Sequence, residues 1–377
     1  MFLSVLILAL VVRIGLIGLP GFVYDINDWI AWSQHLGSVG LGNFYFSGVW
    51  SDYLPGYLYV LRFLYFLHTL IPNFSYELLV KIPALMSDLV LAIIIYTFAK
   101  NRVGDKKASL FAALFLFSPS ILANSLLWGQ ADGFFSIFLC LGILGIFSNK
   151  HIWGALAFAM AIATKPQAIL FLPLVFFKFK PLKKLWPYFV LTPLVTLALF
   201  VPFFQTDLLK NIVGLLTRST DVYPYTSLYA ANIWALVGFW KKDSTIIWGV
   251  SYKLWGLLMF AVAWILSFRP RDIFRSAVLI SLAFFLFPTR IHERYLYPVF
   301  PLLLLAMAVY PRDKRLIISY LILSIINGLN LYYVYAIYNN NFLSFPFLLN
   351  SINVLWPVLT ITSLIIFIFL CKKRKLF

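Results

Sequence analysis

The stretch GYLYVLRFLYFLHTL, residues 56–70, decides how this chain is threaded through a bilayer. It is apolar enough to cross, but it contains Arg62 and His68. If it crossed, the basic turn Lys100–Lys107 and every later basic turn would move away from the side that the positive-inside rule requires. We therefore predict that Gly56–Leu70 is an interfacial or re-entrant helix within one long outside loop.

Composition places the chain among integral membrane proteins. Of its 377 residues, 62% are hydrophobic and 11% are charged, whereas soluble domains carry about 25% charged residues. Mean hydropathy is +0.91. The net charge of +17 comes from short basic runs between apolar stretches, which is typical of cytoplasmic loops, so we expect no nucleic-acid partner. Cys140 and Cys371 lie in separate apolar stretches and predict neither a disulfide nor a thiolate metal site.

Spans of about 20 apolar residues with basic turns inside predict about twelve transmembrane helices. We expect an all-α polytopic membrane protein, one integral membrane domain over residues 1–377, in the plasma (inner) membrane of a prokaryote with both termini cytoplasmic. Met1–Leu19 lacks a basic start and a cleavage site, so it is predicted to be a retained span. The basic turns are Lys100–Lys107, Lys178–Lys184, Arg269–Arg275, Arg312–Arg315 and Lys372–Lys375, and the predicted spans are 2–20, 79–99, 108–126, 133–148, 152–164, 167–179, 187–203, 247–268, 276–288, 297–310, 316–336 and 353–371.

Two outside loops follow from this threading. The first, residues 20–78, is expected to carry two juxtamembrane helices, Asn27–Leu36 and Gly56–Leu70. The second, residues 204–246, is expected to be a loop that covers the site as an acceptor-selecting lid. Because the polar residues other than Lys and Arg gather on this outside face, we expect any chemistry to take place there.

Three acidic residues lie in the first outside loop. Asp25 and Asp28 are spaced so that their carboxylates share one helical face. One interpretation is that they cap their helix and match its positive N-terminal dipole. The other is that they are functional, either as a general base toward a sugar hydroxyl or as metal ligands. Asp52, just before the tight turn at Pro55 and Gly56, either caps the next helix or faces the same cavity as Asp25.

The turn Trp128-Gly129-Gln130-Ala131-Asp132 joins two predicted spans on the outside. Trp128 alone is typical of the aromatic belt at a membrane interface. Gln130 and Asp132 are unusual in so short a turn, and their amide and carboxylate groups could bind sugar hydroxyls. We therefore treat all three as candidate substrate-binding residues.

A dense charged cluster follows near residue 290. It consists of Arg290, His292, Glu293 and Arg294, and Tyr295 continues it. Two arginines outside the membrane need a negative partner, and a phosphate suits them because guanidinium groups bind its oxygens bidentately. The alternative is that Arg294 simply pairs with Glu293 and with acidic groups of the first loop.

Two further cations lie inside predicted spans or next to them. Lys165, in Ala163-Thr164-Lys165-Pro166-Gln167, is placed at a similar depth and is a third candidate ligand for a phosphate. Arg13 in the first span either extends outward to the lipid head groups or points into the cavity as another phosphate ligand. Both readings of Arg13 stay open from the sequence.

Taken in order, these segments resemble polytopic membrane glycosyltransferases of the glycosyltransferase C (GT-C) superfamily, which use lipid-phosphate-linked sugars. The resemblance covers nearly the full chain and is nearest to bacterial and archaeal members, with a more distant likeness to the dolichyl-phosphate-glucose-dependent glucosyltransferases of asparagine-linked glycosylation. In two places the chain departs from the family, because Leu54 replaces the first proline of Asp-Tyr-Pro-Pro, and Arg294 replaces the lysine of His-Glu-Lys. The matching segments are Asp25 followed by Trp32, Asp52-Tyr53-Leu54-Pro55-Gly56-Tyr57, Leu126-Leu127-Trp128-Gly129-Gln130-Ala131-Asp132 and His292-Glu293-Arg294-Tyr295-Leu296-Tyr297-Pro298.

The resemblance implies an inverting hexosyltransferase with a polyprenyl-phosphate sugar donor. The acceptor would be a hydroxyl of a lipid-linked glycan, polymer or protein. Asp25, with Asp28, would be catalytic, and no cofactor is expected, although the two carboxylates could still bind a divalent metal. Arg290, His292, Arg294 and Lys165 would bind the donor phosphate, and Asp52, Trp128, Gln130, Asp132, Glu293 and Tyr295 would bind substrate.

Two rival functions fit the sequence less well. A transporter or lipid flippase would place polar residues along the depth of several spans and often shows related halves. Here the polar groups gather on one face and no repeat is evident. A membrane scaffold without catalytic activity would leave the outside Arg-His-Glu-Arg cluster unexplained.

Overall fold

A computed structural model describes residues 1–177, 182–339 and 342–372. Over these residues the chain is predominantly helical, as predicted. Parts of the predicted basic turns Lys178–Lys184 and Lys372–Lys375, and the end of the predicted span 167–179, lie outside the described residues. The α-helices are α1 Phe2–Leu16, α2 Val23–Val39, α3 Pro55–Leu70, α4 Tyr76–Leu116, α5 Pro119–Leu122, α6 Asp132–Phe147, α7 His151–Thr164, α8 Thr192–Phe200, α9 Leu208–Asp221, α10 Tyr252–Leu266, α11 Ile273–Leu286, α12 Val299–Val309, α13 Lys314–Tyr338 and α14 Pro346–Cys371.

Short segments of other structure connect the α-helices. The part of the chain that the structure describes contains four two-residue strands, β1 Ser227–Leu228, β2 Ile246–Ile247, β3 Val250–Ser251 and β4 Ile291–His292. Strand β1 pairs in parallel with β4, and β2 pairs antiparallel with β3. Three apolar stretches that were predicted as spans include non-α helix, because Pro166–Phe177 is 3-10 helix and both Ala123–Trp128 and Pro187–Leu191 are π-helix.

The chain divides into two compact units. Unit 1 comprises Met1–Leu16, Asp88–Leu127 and Tyr223–Phe377, and unit 2 comprises Ile17–Ser87 and Trp128–Val222. The single membrane domain predicted over residues 1–377 stays a prediction.

Three helices among the described residues are long and apolar enough to cross a membrane: α4, α13 and α14. The other apolar helices are shorter; α1, for example, has 15 residues, which rise about 22 Å against a hydrocarbon core of about 30 Å. The predicted count of twelve spans is therefore not established by helix length.

The predicted basic turn Lys100–Lys107 coincides with a break in the longest helix. Gly104 in α4 has φ 80° and ψ 166°, which is not helical backbone. A residue with a Cβ rarely adopts such a positive φ, whereas glycine does so at little cost. The chain thus turns within its basic segment, between two helical stretches that were predicted separately as 79–99 and 108–126.

Helix α3 confirms the prediction of a helix over Gly56–Leu70, with Pro55 as its first residue. Its 16 residues rise about 24 Å, less than a straight crossing needs. Helix α2 starts at Val23, four residues before the predicted Asn27, so it includes Asp25 in its first turn. The predicted interfacial position of both helices stays a prediction.

The core of unit 2 forms between α2 and α3. Helix α2 buries Ile26, Trp29 and Leu36 along one side, the spacing of an amphipathic helix. The Trp29 ring packs edge-on against Tyr57 of α3 at 4.4 Å between centroids. Ser33 Oγ donates to the Leu61 carbonyl at 2.7 Å. These contacts hold α2 against α3, and with it the acidic side chains that α2 carries.

Unit 1 has a buried charge network that overturns both readings of Arg13. Arg13 is 1% exposed and donates to Asp88 Oδ2 at 2.8 Å and to the Leu116 carbonyl at 3.1 Å. Ser125 Oγ also donates to Asp88 Oδ2, and the Tyr297 hydroxyl donates to Oδ1 at 2.6 Å. Arg13 therefore neither extends to the head groups nor points into a cavity, because a carboxylate 75 residues away neutralises it inside the unit.

Candidate functional site

Three carboxylates of unit 2 lie close enough to influence one another. Asp25 and Asp28 belong to α2, and Asp52 lies two residues before Leu54, the residue that caps the start of α3. All three are partly buried. The pKa of Asp28 is raised to about 6, mainly because burial penalises its charged form. The negative charge of Asp25 raises it further, and that of Asp52 adds a smaller effect. One of these carboxyl groups thus titrates near neutral pH.

Gln130 holds Asp25 from the turn that the sequence singled out. Its side chain is fully buried, and its Nε2 donates a hydrogen bond to Asp25 Oδ2. The Tyr53 hydroxyl donates to Gln130 Oε1 at 3.5 Å. Gly129 makes this turn with φ 75°, and a Cβ there would also lie 3.0 Å from Ile26 Cδ1. The turn requires glycine, and the amide that follows fixes the orientation of the Asp25 carboxylate.

The same turn supplies a buried ion pair. Asp132, the first residue of α6, accepts a hydrogen bond from Lys165 Nζ, and the two residues are 1% and 8% exposed. Lys165 directly follows α7, in extended backbone. The ammonium group predicted to bind the donor phosphate is therefore held by Asp132.

Trp128 and the Asp52 loop are also fixed within unit 2. The Trp128 ring stacks on Phe22 at 4.0 Å between centroids, and Phe22 is the N-cap residue of α2. The Asp52 carbonyl accepts a hydrogen bond from Ser219 Oγ of α9 at 3.0 Å. Because Leu54 rather than Asp52 is the N-cap residue of α3, capping of that helix does not account for Asp52.

Two residues that support this region were not identified from the sequence. Glu77 Oε1 accepts a hydrogen bond from the Gly21 amide at 2.8 Å. Lys81 Nζ donates to the carbonyls of Ile17 and Leu19 at 2.9 and 2.7 Å. Both residues belong to α4, one turn apart, and together they fix the chain that leads into α2. The sequence did contain a signal for them, because two charged residues four positions apart stand at the start of an otherwise apolar helix.

In unit 1, Arg290 has a partner that the sequence did not reveal. Its guanidinium donates to both carboxylate oxygens of Asp243, at 2.6 and 3.3 Å, and the Thr289 hydroxyl donates to the same carboxylate at 3.1 Å. Arg290 sits in left-handed backbone with φ 67°. The sequence led us to expect a negative partner for each of the two arginines. For Arg290, that partner is the carboxylate of Asp243.

The other residues of the unit 1 cluster contact one another. Arg294 Nη1 lies 3.6 Å from Glu293 Oε1 and 3.4 Å from His292 Nδ1. The His292 ring packs against Tyr223 at 5.2 Å and against Tyr295 at 5.5 Å between centroids. The pairing of Arg294 with Glu293 that we considered from the sequence is thus present, although at the long end of ion-pair distances.

The predicted site residues form two groups. Unit 2 brings together Asp25, Asp28 and Asp52, with Trp128, Gln130, Asp132 and Lys165 fixed around their supporting turns. Unit 1 brings together Arg290, His292, Glu293, Arg294 and Tyr295. That both groups serve one reaction stays a prediction. Within the described part of the chain, no group of three or more His, Cys, Asp and Glu residues is arranged to hold a metal ion, and the expectation of no cofactor stays untested.

Comparison of the sequence with models of known protein families, and with the curated proteins, gives no match. The functional argument therefore depends on the residues themselves. Chemically, the unit 2 group offers an oriented carboxylate beside a second carboxyl group that changes its protonation near pH 6. Such a pair is suited to accepting a proton from a hydroxyl.

Replacing Asp28 with asparagine should change how stability depends on pH. The pKa of Asp28 is raised in the folded protein from 3.8 to about 6, so its contribution to stability is complete below the lower value and is lost as pH rises through the upper one. We expect the Tm of Asp28→Asn, relative to wild type, to increase between about pH 4 and pH 7. A pH series of thermal unfolding in detergent measures this, with the exposed Asp207→Asn as control; a pH-independent difference for Asp28→Asn would refute the coupling.

Proposed function

We propose that this chain is an integral membrane glycosyltransferase of the GT-C type. It transfers a hexose from a polyprenyl-phosphate-linked sugar to a hydroxyl of a lipid-linked glycan, polymer or protein, with inversion at the anomeric carbon. The observation that carries the proposal is the group of Asp25, Asp28 and Asp52, in which one carboxylate is oriented by Gln130 and another has a pKa of about 6. The ordered segments that resemble the GT-C superfamily give the reaction class.

In the proposed reaction, Asp25 is the general base. As the acceptor oxygen forms its bond to the anomeric carbon, Asp25 takes the hydroxyl proton. The bond from that carbon to the phosphate oxygen breaks, and its electron pair leaves with the lipid phosphate. Asp28 keeps a proton to higher pH than an ordinary aspartate, whereas Asp25 is assigned as the base because Gln130 orients its carboxylate.

The departing phosphate is a stable anion, so it needs nearby cations more than a general acid. Of the four cationic residues predicted for this role, Arg290 is bound to Asp243 and Lys165 to Asp132. Removing either from its carboxylate would leave a buried charge unpaired, which is costly. Arg294 lies farther from its own carboxylate, at 3.6 Å from Glu293 Oε1. We therefore propose Arg294, with His292 beside it, as the principal phosphate ligands, and Arg290 and Lys165 as residues that order their own segments.

The proposal includes about twelve membrane crossings, with the acidic group on the extracytoplasmic face. It predicts opposite accessibility for two exposed positions, Ser47 in the first outside loop and Lys107 in the basic turn. In a background with Cys140→Ser and Cys371→Ser, a membrane-impermeant maleimide should label Ser47→Cys in intact bacterial cells and Lys107→Cys only after permeabilisation. Labelling of both positions from the same side would refute the proposed topology.

The test of the function is transfer of labelled sugar by the purified protein. Synthetic polyprenyl-phosphate sugars are supplied as donors and lipid extracts as acceptors, and the labelled products are separated by chromatography. We expect one donor to give a labelled lipid-linked product.

A transporter or lipid flippase remains the second candidate, because Arg13 and Asp88 form a buried ion pair within helices of unit 1 and such pairs often mark transport pathways. Movement of intact donor across proteoliposomes without any new glycosidic product would favour this function over transfer.

A further inference from the structure

An apolar groove lies between α4 and α13 in unit 1. Its volume is about 330 Å³. On one side it is lined by residues at the spacing of a single helical face, and the opposite side belongs to α13. The residues that define it are Leu110, Ala113, Leu114 and Phe117 on one side and Leu321 and Ile325 on the other.

The polar groups along this groove are already paired with one another. The Tyr320 hydroxyl donates to the Leu114 carbonyl at 2.8 Å, and the hydroxyls of Ser118 and Ser324 are 2.6 Å apart. A polar ligand would therefore gain few hydrogen bonds here. A hydrocarbon chain would be accommodated without leaving a hydroxyl unsatisfied.

The helical faces that form the groove continue into a basic end. Lys106 and Lys107 lie four and three residues before Leu110, on the same face of α4. Lys314 lies two turns before Leu321 on α13. All three lysines are exposed. Positive charge therefore stands at one end of the groove.

Asp105 and Asp313 neighbour these lysines in the sequence, and Asp105 accepts a hydrogen bond from the Tyr96 hydroxyl at 2.6 Å. Considering residues 1–177, 182–339 and 342–372, no carboxylate forms an ion pair with Lys106, Lys107 or Lys314. The adjacent Asp313 is bound by Arg275 and Arg315, each at 2.8 Å.

The two lysines of α4 and the groove beside them together extend over about one leaflet of a bilayer. From Lys106 to Leu116 the helix rises about 15 Å, which is half of a hydrocarbon core of about 30 Å. We propose that the groove binds an anionic phospholipid, with its headgroup on Lys106, Lys107 and Lys314 and one acyl chain between α4 and α13. This lipid site goes beyond the proposed function and does not depend on it; it requires only that unit 1 be embedded in a bilayer.

The test is lipid binding by the full chain in detergent, followed by native mass spectrometry. Phosphatidylglycerol and phosphatidylcholine with the same acyl chains are titrated separately. We expect phosphatidylglycerol to bind more tightly. Combined Lys106→Ala, Lys107→Ala and Lys314→Ala should weaken phosphatidylglycerol binding by roughly tenfold or more, since each lysine near an anionic headgroup contributes on the order of 1 kcal/mol, and should leave phosphatidylcholine binding unchanged.

Two further variants separate the headgroup from the chain. Ala113→Trp fills the groove and should weaken both lipids; if it does not fold, Ile325→Trp at the exposed rim replaces it. Combined Lys253→Ala, Arg269→Ala and Arg271→Ala removes three exposed charges elsewhere in the same unit and should leave phosphatidylglycerol binding within twofold of wild type. Equal loss in this control, or unchanged lipid binding in the tryptophan variant, overturns the proposal.

Discussion

Asp25→Asn is expected to reduce sugar transfer at least 100-fold while donor binding persists. A positioned general base typically contributes about 10²–10⁴-fold in rate. Asparagine has nearly the same size as aspartate and keeps an oxygen that can accept a hydrogen bond, but it cannot take the proton from the acceptor hydroxyl. Transfer is measured with saturating donor, and donor affinity is measured separately by titration. Loss of rate with retained affinity distinguishes a catalytic role from a binding role.

The matched control for Asp25→Asn is Asp207→Asn. Asp207 belongs to the same unit, is exposed, and adopts φ 50°, a conformation that asparagine also tolerates. The Asp207→Asn substitution removes one negative charge but leaves Asp25, Asp28 and Asp52 unchanged, so we expect nearly wild-type transfer. If Asp25→Asn were as active as Asp207→Asn, the base assignment would be wrong and Asp28 would be tested next in the same assay.

Removal of Arg13 is expected to destabilise the protein by about 3–5 kcal/mol. Arg13→Met would leave the Asp88 carboxylate buried, with Ser125 and Tyr297 as its remaining polar partners. An uncompensated charge in such a site costs about this much, whereas replacing both partners with neutral side chains of similar size is often nearly neutral. Unfolding in detergent, followed by circular dichroism, should therefore show a large loss in Arg13→Met and a substantial recovery in Arg13→Met/Asp88→Asn.

Arg312→Met serves as the control for the Arg13 experiment. Arg312 is exposed in a basic turn of the same unit, so its removal should change stability by less than about 1 kcal/mol. If the single and double variants at Arg13 and Asp88 were equally unstable, the loss would come from packing rather than from an unpaired charge. That result would show that neutralisation of Asp88 by Arg13 does not stabilise the protein.

The sequence predicted elements with a strong local signal. The helix at Pro55–Leu70 was predicted to within one residue, because proline at its start and the apolar run that follows define it. The break at Gly104 fell inside the predicted basic turn. In contrast, the first predicted span ended at residue 20, whereas α1 ends at Leu16, before Gly18 and Pro20. Apolar composition alone overestimates helix length where such residues follow.

One helix was missed although its signal was present. The predicted loop 204–246 contains α9, Leu208–Asp221. Its apolar residues Leu208, Ile212, Leu215 and Leu216 recur at helical spacing and pack on the core of unit 2, while polar residues lie between them. The periodicity of an amphipathic helix is present in the sequence, but the segment is too short and too polar to resemble a membrane span.

The site was predictable in its residue types and less so in its pairings. Gln130 and Asp25 were both singled out, yet only the structure shows that one holds the other. Asp243 and Asp88 were not identified, because their arginine partners are 47 and 75 residues distant. Ion pairs across such separations depend on tertiary packing, which a single sequence does not report.

The most direct test of the account compares donor classes for the purified wild-type chain. Labelled hexose is supplied either on a polyprenyl phosphate or on a nucleoside diphosphate, with the same lipid extract as acceptor, and the product is followed over time. The account predicts product from the polyprenyl-phosphate sugar alone, with inverted anomeric configuration. Transfer from the nucleotide sugar, or no transfer from any polyprenyl-phosphate sugar across a panel of hexoses, would contradict it.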